Sequence, residues 1–357
     1  MLKTTLLLGL ATWSLCLLAQ PVISAKPQTP YITTEGSLQF LEFDFIVTGQ
    51  KNGKYILQQI DLTVFDQNGR PQERRKLVDE GMVSNFGEFP KTKVKKDKSI
   101  SLFNPFYFFG NDIELDRLLY QFKFTKGRET YALSTEVRPE EYSQKTELAL
   151  PLSGQVIVDA GFDHFAHHRR MNTTHWGMRL LKISQNITRY AIDFAPCNDT
   201  GQIYQNTGDE VEDYFGFGQP VAAPAGGKVV ELVRDLPDNE IEGKLAFGTV
   251  AFIKNPKLAS GNYVVIDHLN GEVSLLAHLQ QESITVELDQ VVKAGDQIGL
   301  IGNSGDSTYP HLHYQLENEH SLNVQTYPAL FSGINSLNNQ KVSRPIFCNT
   351  GDIVFSR

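Results

Sequence analysis

In the first third of the chain, apolar and polar residues alternate with the two-residue period of strands that bury one face. The stretch "YILQQIDLTVFDQNGRP" (Tyr55–Pro71) alternates up to an Asn68-Gly69 turn. "LLYQFKFTKGRETYALSTEV" (Leu118–Val137) reads as two runs joined by Lys126-Gly127-Arg128, a hairpin signal. The pattern predicts a small β-sandwich-like domain over 26–136. The next segment, "VRPEEYSQKTELALP", is polar with a proline towards each end and reads as a linker over 137–150. Beyond it, short β-type runs recur at Gly154–Val158, Thr188–Ala195, Gly227–Val233, Thr249–Ile253, Tyr263–Asp267, Val273–His278 and His311–Leu316. Gly and Pro punctuate them, and no long amphipathic helix is evident. They predict a second all-β domain over 151–331, with 332–357 as an extension packed on it. The expected fold class is therefore all-β throughout.

One residue breaks this pattern. "TRYAIDFAP" (Thr188–Pro196) fills with apolar residues as a buried strand does, yet Asp193 sits in its middle. A carboxylate there is costly unless it is paired, hydrogen-bonded or bound to a metal. Its partner has to come from elsewhere in the chain.

Composition narrows the class. The 357 residues are 41% hydrophobic and 21% charged, enough for two cores, and the net charge of -8 argues against a nucleic-acid partner. The basic run Lys91–Lys98 reads as a solvated loop or edge-strand protection. Residues 1–25 read as a secretory signal: a lysine, an apolar run and a small residue at the cut. The unbroken apolar core falls short of the ~20 residues that a spanning helix needs, so no membrane span is expected after cleavage. Cys16 follows Leu15 rather than a small residue, against a lipoprotein cut. The chain is thus expected to be exported, to the periplasm or beyond. There, Cys197 and Cys348 would remain, favouring one disulfide over two buried free thiols. The sequons at Asn172, Asn186 and Asn198 would mark surface loops only in a eukaryotic secreted protein.

All nine histidines lie between His164 and His320, which places the chemistry in the second domain. In "STYPHLHYQLE", His311 and His313 are spaced to point to one face of a strand. Upstream, a strand ends at His278, and a glycine-rich loop (Gly299, Gly302, Gly305) delivers the HxH strand. Here the sequence resembles the lysostaphin-type (LytM-like, β-lytic) zinc endopeptidases, over roughly Leu150 to Phe331. That family shows, in order, an aspartate strand, "GxPVxAPxxGxV", "YxxHL" and "GNSGxSxxPHLHxxL". This chain has Asp193, "GQPVAAPAGGKVV" (Gly218–Val230), "LLAHL" (Leu275–Leu279) and "IGNSGDSTYPHLHYQL" (Ile301–Leu316).

The resemblance implies Zn²⁺ as cofactor, with Asp193 and His313 as ligands and His278 and His311 as catalytic imidazoles. It also implies peptidoglycan peptides as substrates. A catalytic zinc takes three protein ligands, and the chain departs from the family at the first: Arg189 stands where a histidine is usual, and a guanidinium has no lone pair to offer. Two readings follow. In one, "GFDHFAHHRRMNTTHWG" (Gly161–Gly177) supplies the ligand, His168 being preferred, with His167 or His175 as substitutes. In the other, the site is degenerate and the domain binds cell wall or regulates a cell-wall amidase. Two polar insertions, Cys197–Phe217 and Arg234–Gly248, are expected as loops that overhang the groove or simply cover the surface.

Overall fold

The computed structural model describes residues 20–50, 54–80, 82–87, 89, 91–164, 166–241, 249–336 and 347–356. It divides into two compact units: one runs up to Glu141 and includes Asn172–His175, and the other holds the rest from Tyr142 onward. Residues 1–19 of the expected signal lie outside the described residues. Val22–Lys26, which spans the expected cut, forms a strand paired with Asp44–Thr48.

In the first unit the alternating segments become strands. Lys54–Phe65 and Pro71–Val78 flank the Asn68-Gly69 turn, and Arg117–Lys126 and Glu129–Val137 form the expected hairpin. Lys54–Phe65 buries Tyr55 and Leu57, then changes phase to bury Ile60, Leu62 and Val64. A register shift against Lys123 and Phe124 accounts for the change, because a bulge moves the alternation by one residue. Aromatic rings fill the core that these strands share: Phe45 meets Phe43, Tyr120 and Phe122 edge-to-face at 5.1, 4.8 and 4.9 Å.

The second unit is built on a ten-stranded antiparallel sheet. Its central order is Gly227–Val233, Asn262–Asp267, Val273–Leu279, Leu312–Glu317, Ile192–Pro196, Gly154–Ala160 and Ile353–Ser356. Tyr142, Lys145 and Thr146 are tied to it by the buried Glu272 carboxylate, which accepts from the Tyr142 hydroxyl (2.6 Å) and from the two backbone N–H groups (2.7 and 2.8 Å).

Three expectations are corrected. Thr249–Lys254 is a short helix, not a strand; a five-residue apolar run has no periodicity that tells the two apart. The aspartate strand begins at Ile192, so Arg189 lies in the preceding turn, where the Ala191 N–H donates to Thr188 O. Position 189 is therefore not in strand register with Asp193. Finally, Cys197 and Cys348 do not form a disulfide with each other. Cys197 sits beside Gln155, whereas the Cys348 carbonyl lies against Gly161. Six strand residues, about 20 Å, separate those contacts, while a disulfide needs Cα atoms within about 7 Å.

Candidate active site

Three adjacent strands converge on Asp193. Asp193 stands directly opposite His313, and His313 directly opposite Ala277. Facing residues on an antiparallel pair share one side of the sheet, which brings the His313 Nδ1 to 2.9 Å from Asp193 Oδ1. Two residues before it, His311 presents Nε2 3.6 Å from the same oxygen.

His278 follows Ala277, so regular alternation would send it to the other face. Its backbone φ of 62° breaks the alternation, and its ring lies 4.9 Å from that of His311 and 5.5 Å from that of His313. A left-handed residue of this kind costs of order 1–3 kcal/mol and persists only where its surroundings enforce it. The enforcement comes from the glycine-rich loop: Gly302 N–H donates to His278 O, and the His278 Nδ1 donates to Ser304 O at 2.8 Å. The loop packs main chain against main chain. A Cβ on Gly302 would fall 2.3 Å from Gln280 Cα, and one on Gly305, whose φ is 81°, would fall 2.3 Å from Gly261 N.

The upstream histidines arrive on a single 3-10 turn, His168–Arg170. His168 is buried, with Nε2 3.4 Å from Asp193 Oδ2; His167 is exposed, with Nε2 3.7 Å from the same atom. Asn186 fixes the turn, donating from Nδ2 to His168 O (2.7 Å) and Arg169 O (3.1 Å), while its Oδ1 accepts from the Thr188 N–H. The sequon at Asn186 is thus a buried clamp rather than a surface mark. His175 belongs to the Asn172–His175 stretch, which groups with the other unit.

Electrostatics separates the roles. Burial opposes ionisation of Asp193, but attraction from His168 and His311 and the bond from His313 outweigh it and hold its carboxyl far below the usual range. Burial takes His168 down to about 3, against the pull of Asp193, leaving a neutral imidazole. His278 is also pushed well down, first by burial and then by the neighbouring His311 and His313. His313 goes the other way: burial lowers it, but the bond and charge of Asp193 win and raise it.

These residues fit a metal. Both ring nitrogens of His313 face oxygen acceptors, Asp193 Oδ1 and, at 3.1 Å, Gln315 Oε1. A neutral imidazole cannot donate to both, so the arrangement calls for a positive charge at His313, supplied either by a second ring proton or by a cation between Nδ1 and the carboxylate. His168, His167 and Asp193 place one ligand atom each within 4.8 Å of one another. A carboxylate with neutral imidazoles is a donor set that suits Zn²⁺.

Several contributors escaped the sequence reading. Asn239, in the second insertion, is buried and donates from Nδ2 to Gly305 O and Ser307 O, so part of that loop braces the glycine-rich loop. Tyr309 donates its hydroxyl to Asp159, stacks on Tyr214 at 5.9 Å and accepts the His311 Nδ1 bond on its carbonyl at 2.8 Å. The strand Leu312–Glu317 continues the histidine face with Gln315 and Glu317, both buried. Its alternation was visible in "HLHYQLE": apolar at 312, 314 and 316, polar at 313, 315 and 317.

The site is thus a buried carboxylate ringed by imidazoles on an antiparallel sheet. Residues 244–324 match the model of Peptidase family M23, and the chain carries a peptidase M23 domain of the LytM/lysostaphin type. Among similar proteins, the peptidoglycan DD-endopeptidase ShyA of Vibrio cholerae serotype O1 is 46% identical over 69 residues, 19% of this chain and 15% of that protein. The DD-carboxypeptidase/endopeptidase Mpg of Neisseria meningitidis serogroup B is 43% identical over 70 residues, 20% of this chain and 15% of its own. The chain therefore spans only about 15% of the length of these relatives. Among solved structures, the catalytic domain of lysostaphin from Staphylococcus simulans is 24% identical with a TM-score of 0.24, over 38% of this chain and 74% of that one. A zinc-containing peptidase from Vibrio cholerae is 15% identical with a TM-score of 0.24, over 66% and 86%.

Proposed function

We propose that the second unit is a zinc endopeptidase that hydrolyses peptide cross-links of peptidoglycan, with Asp193, His313 and His168 as metal ligands and His278 and His311 as catalytic imidazoles. The observation that carries this reading is the convergence of His168, His311 and His313 on the buried Asp193 carboxylate, within 3.6 Å. His168 is preferred over His167 because it is buried and its Nε2 lies closer to Asp193. The substrate class is supported by the names of the relatives above and by the resemblance in sequence.

A zinc held by these residues would lower the pKa of a bound water to about 7 and polarise a carbonyl oxygen. The protein's own contribution follows from tautomers. Both His278 and His311 donate from Nδ1 to a backbone carbonyl, which leaves each Nε2 with a free lone pair. His311 Nε2, facing Asp193, is placed to take the proton of an attacking water. Once protonated, it can pass that proton to the leaving amine, and the His278 Nε2 offers a second lone pair beside it to accept a proton.

We also propose export to the compartment that holds peptidoglycan, supported by the apolar segment near the amino terminus and by the same relatives. Among the described residues, no helix is long and apolar enough to cross a membrane.

Incubating the purified protein with cell-wall sacculi, with and without a chelator, tests the activity: chelator-sensitive release of peptides is expected, and its absence overturns the hydrolytic reading. A metal-free protein that still binds sacculi would mark the regulatory alternative. For the third ligand, His168→Ala is expected to lose zinc. Zinc retained there but lost in His167→Ala would move the assignment to His167.

A further inference from the structure

Beyond His313 the polar face of its strand forms a continuous hydrogen-bonded chain. His313 Nε2 meets Gln315 Oε1 at 3.1 Å, Gln315 Nε2 donates to Glu317 Oε2 at 2.9 Å, and His320 Nδ1 donates to Glu317 Oε1 at 2.9 Å. Glu317 has no exposed surface, Gln315 is 4% exposed and His313 8%. Leu312, Tyr314 and Leu316 point to the opposite, apolar face, so packing alone does not require this polar row.

The chain has a direction. A carboxylate only accepts, so Gln315 must turn its NH₂ towards Glu317 and its carbonyl towards His313. That carbonyl also only accepts, so His313 must carry its proton on Nε2. The lone pair of a neutral His313 is then confined to Nδ1, the nitrogen 2.9 Å from Asp193. His320 completes the arrangement by donating to the second oxygen of Glu317, so neither carboxylate oxygen is left bare.

We propose that Gln315 and Glu317 are positioning residues that fix the tautomer and ring orientation of His313 and so set the affinity of the Asp193–His313 site for zinc. The proposal rests on the metal reading given above. Outer partners of this kind typically contribute 10–100-fold to metal affinity.

The test measures zinc affinity by chelator competition, alongside the melting temperature of the metal-free protein, in wild type, His313→Ala, Gln315→Met, Glu317→Gln and the Gln315→Met/Glu317→Gln pair. Gln315→Met keeps the shape without the hydrogen bonds and is expected to weaken zinc about 10–100-fold. Glu317→Gln keeps both shape and hydrogen-bonding capacity and is expected towards the lower end of that range. It also serves as the measurement should Gln315→Met fail to fold. The pair is expected to be no weaker than Gln315→Met alone, because both residues act through one imidazole. A merely structural role would move the melting temperature and leave the affinity alone. Zinc affinity within about twofold of wild type in both single variants overturns the relay while leaving the metal site standing. Equal zinc binding by wild type and His313→Ala, or none by wild type, overturns the metal reading and the relay with it.

Discussion

The two units solve the same folding problem with opposite interiors. In the first, the strands enclose rings and aliphatic chains such as Phe45, Tyr120, Phe122 and Leu62, and no histidine is present in its sheets. In the second, the sheet buries Asp193, His278, His311, His313, Gln315 and Glu317 within a few strands of one another. Burying polar groups costs stability unless every partner is supplied, so a row of them in a sheet that could have been apolar marks where the chain gives up stability for chemistry. The first unit buries only scattered polar residues such as Asp44 and Asn104, whereas the second gathers a carboxylate and imidazoles at one place.

Substitutions can break that contrast, and the largest effect is expected at the carboxylate. Asp193→Ala should abolish zinc binding and lower peptide release from sacculi more than about 10³-fold, checked by metal analysis and product chromatography. His278→Ala and His311→Ala should retain zinc yet lose about 10²–10⁴ in rate, which separates the proton-handling groups from the ligands. In the first unit, Phe45→Ala should cost about 3–5 kcal/mol in denaturant unfolding with zinc affinity unchanged; a loss of zinc there would erase the distinction between the units. Asn186→Ala sharpens the comparison by removing two bonds to the His168 turn: zinc should weaken about tenfold if His168 is the ligand. Smallest of all, alkylation under denaturing, non-reducing conditions should label both Cys197 and Cys348, with Cys197, the less buried, reacting first in the folded protein.

The same division explains what the sequence disclosed. Alternation alone revealed the hairpin at Lys126-Gly127-Arg128, because one buried face writes a period of two directly into the chain, whereas the phase change at Gln58-Gln59 emerged only from the structure. Asp193, His311 and His313 stood out because a carboxylate in an apolar strand and an HxH pair are both out of place without a shared task, while His278 was marked only by the resemblance of "LLAHL" to the family's segment. The clamp at Asn186 and the brace at Asn239 were not, since each works through a backbone carbonyl, which leaves no signature in the partner's side chain. The turn at Arg189 was misread as strand because Thr188, Tyr190 and Ile192 continue the β-type residues of the strand that follows. The disulfide failed on geometry, since cysteine count says nothing about which ends of a strand two thiols occupy.

The Asp193–His313 pair joins residues 120 positions apart, and neither local turn nor hairpin can bring them together early. Long-range strand pairing of this kind closes late in folding, after shorter loops have formed. A newly made or partly unfolded chain thus holds its imidazoles on separate strands, with no shared surface to capture an ion. The proposed metal site is thus a report on the finished sheet: its ligands meet only once the tertiary structure is complete.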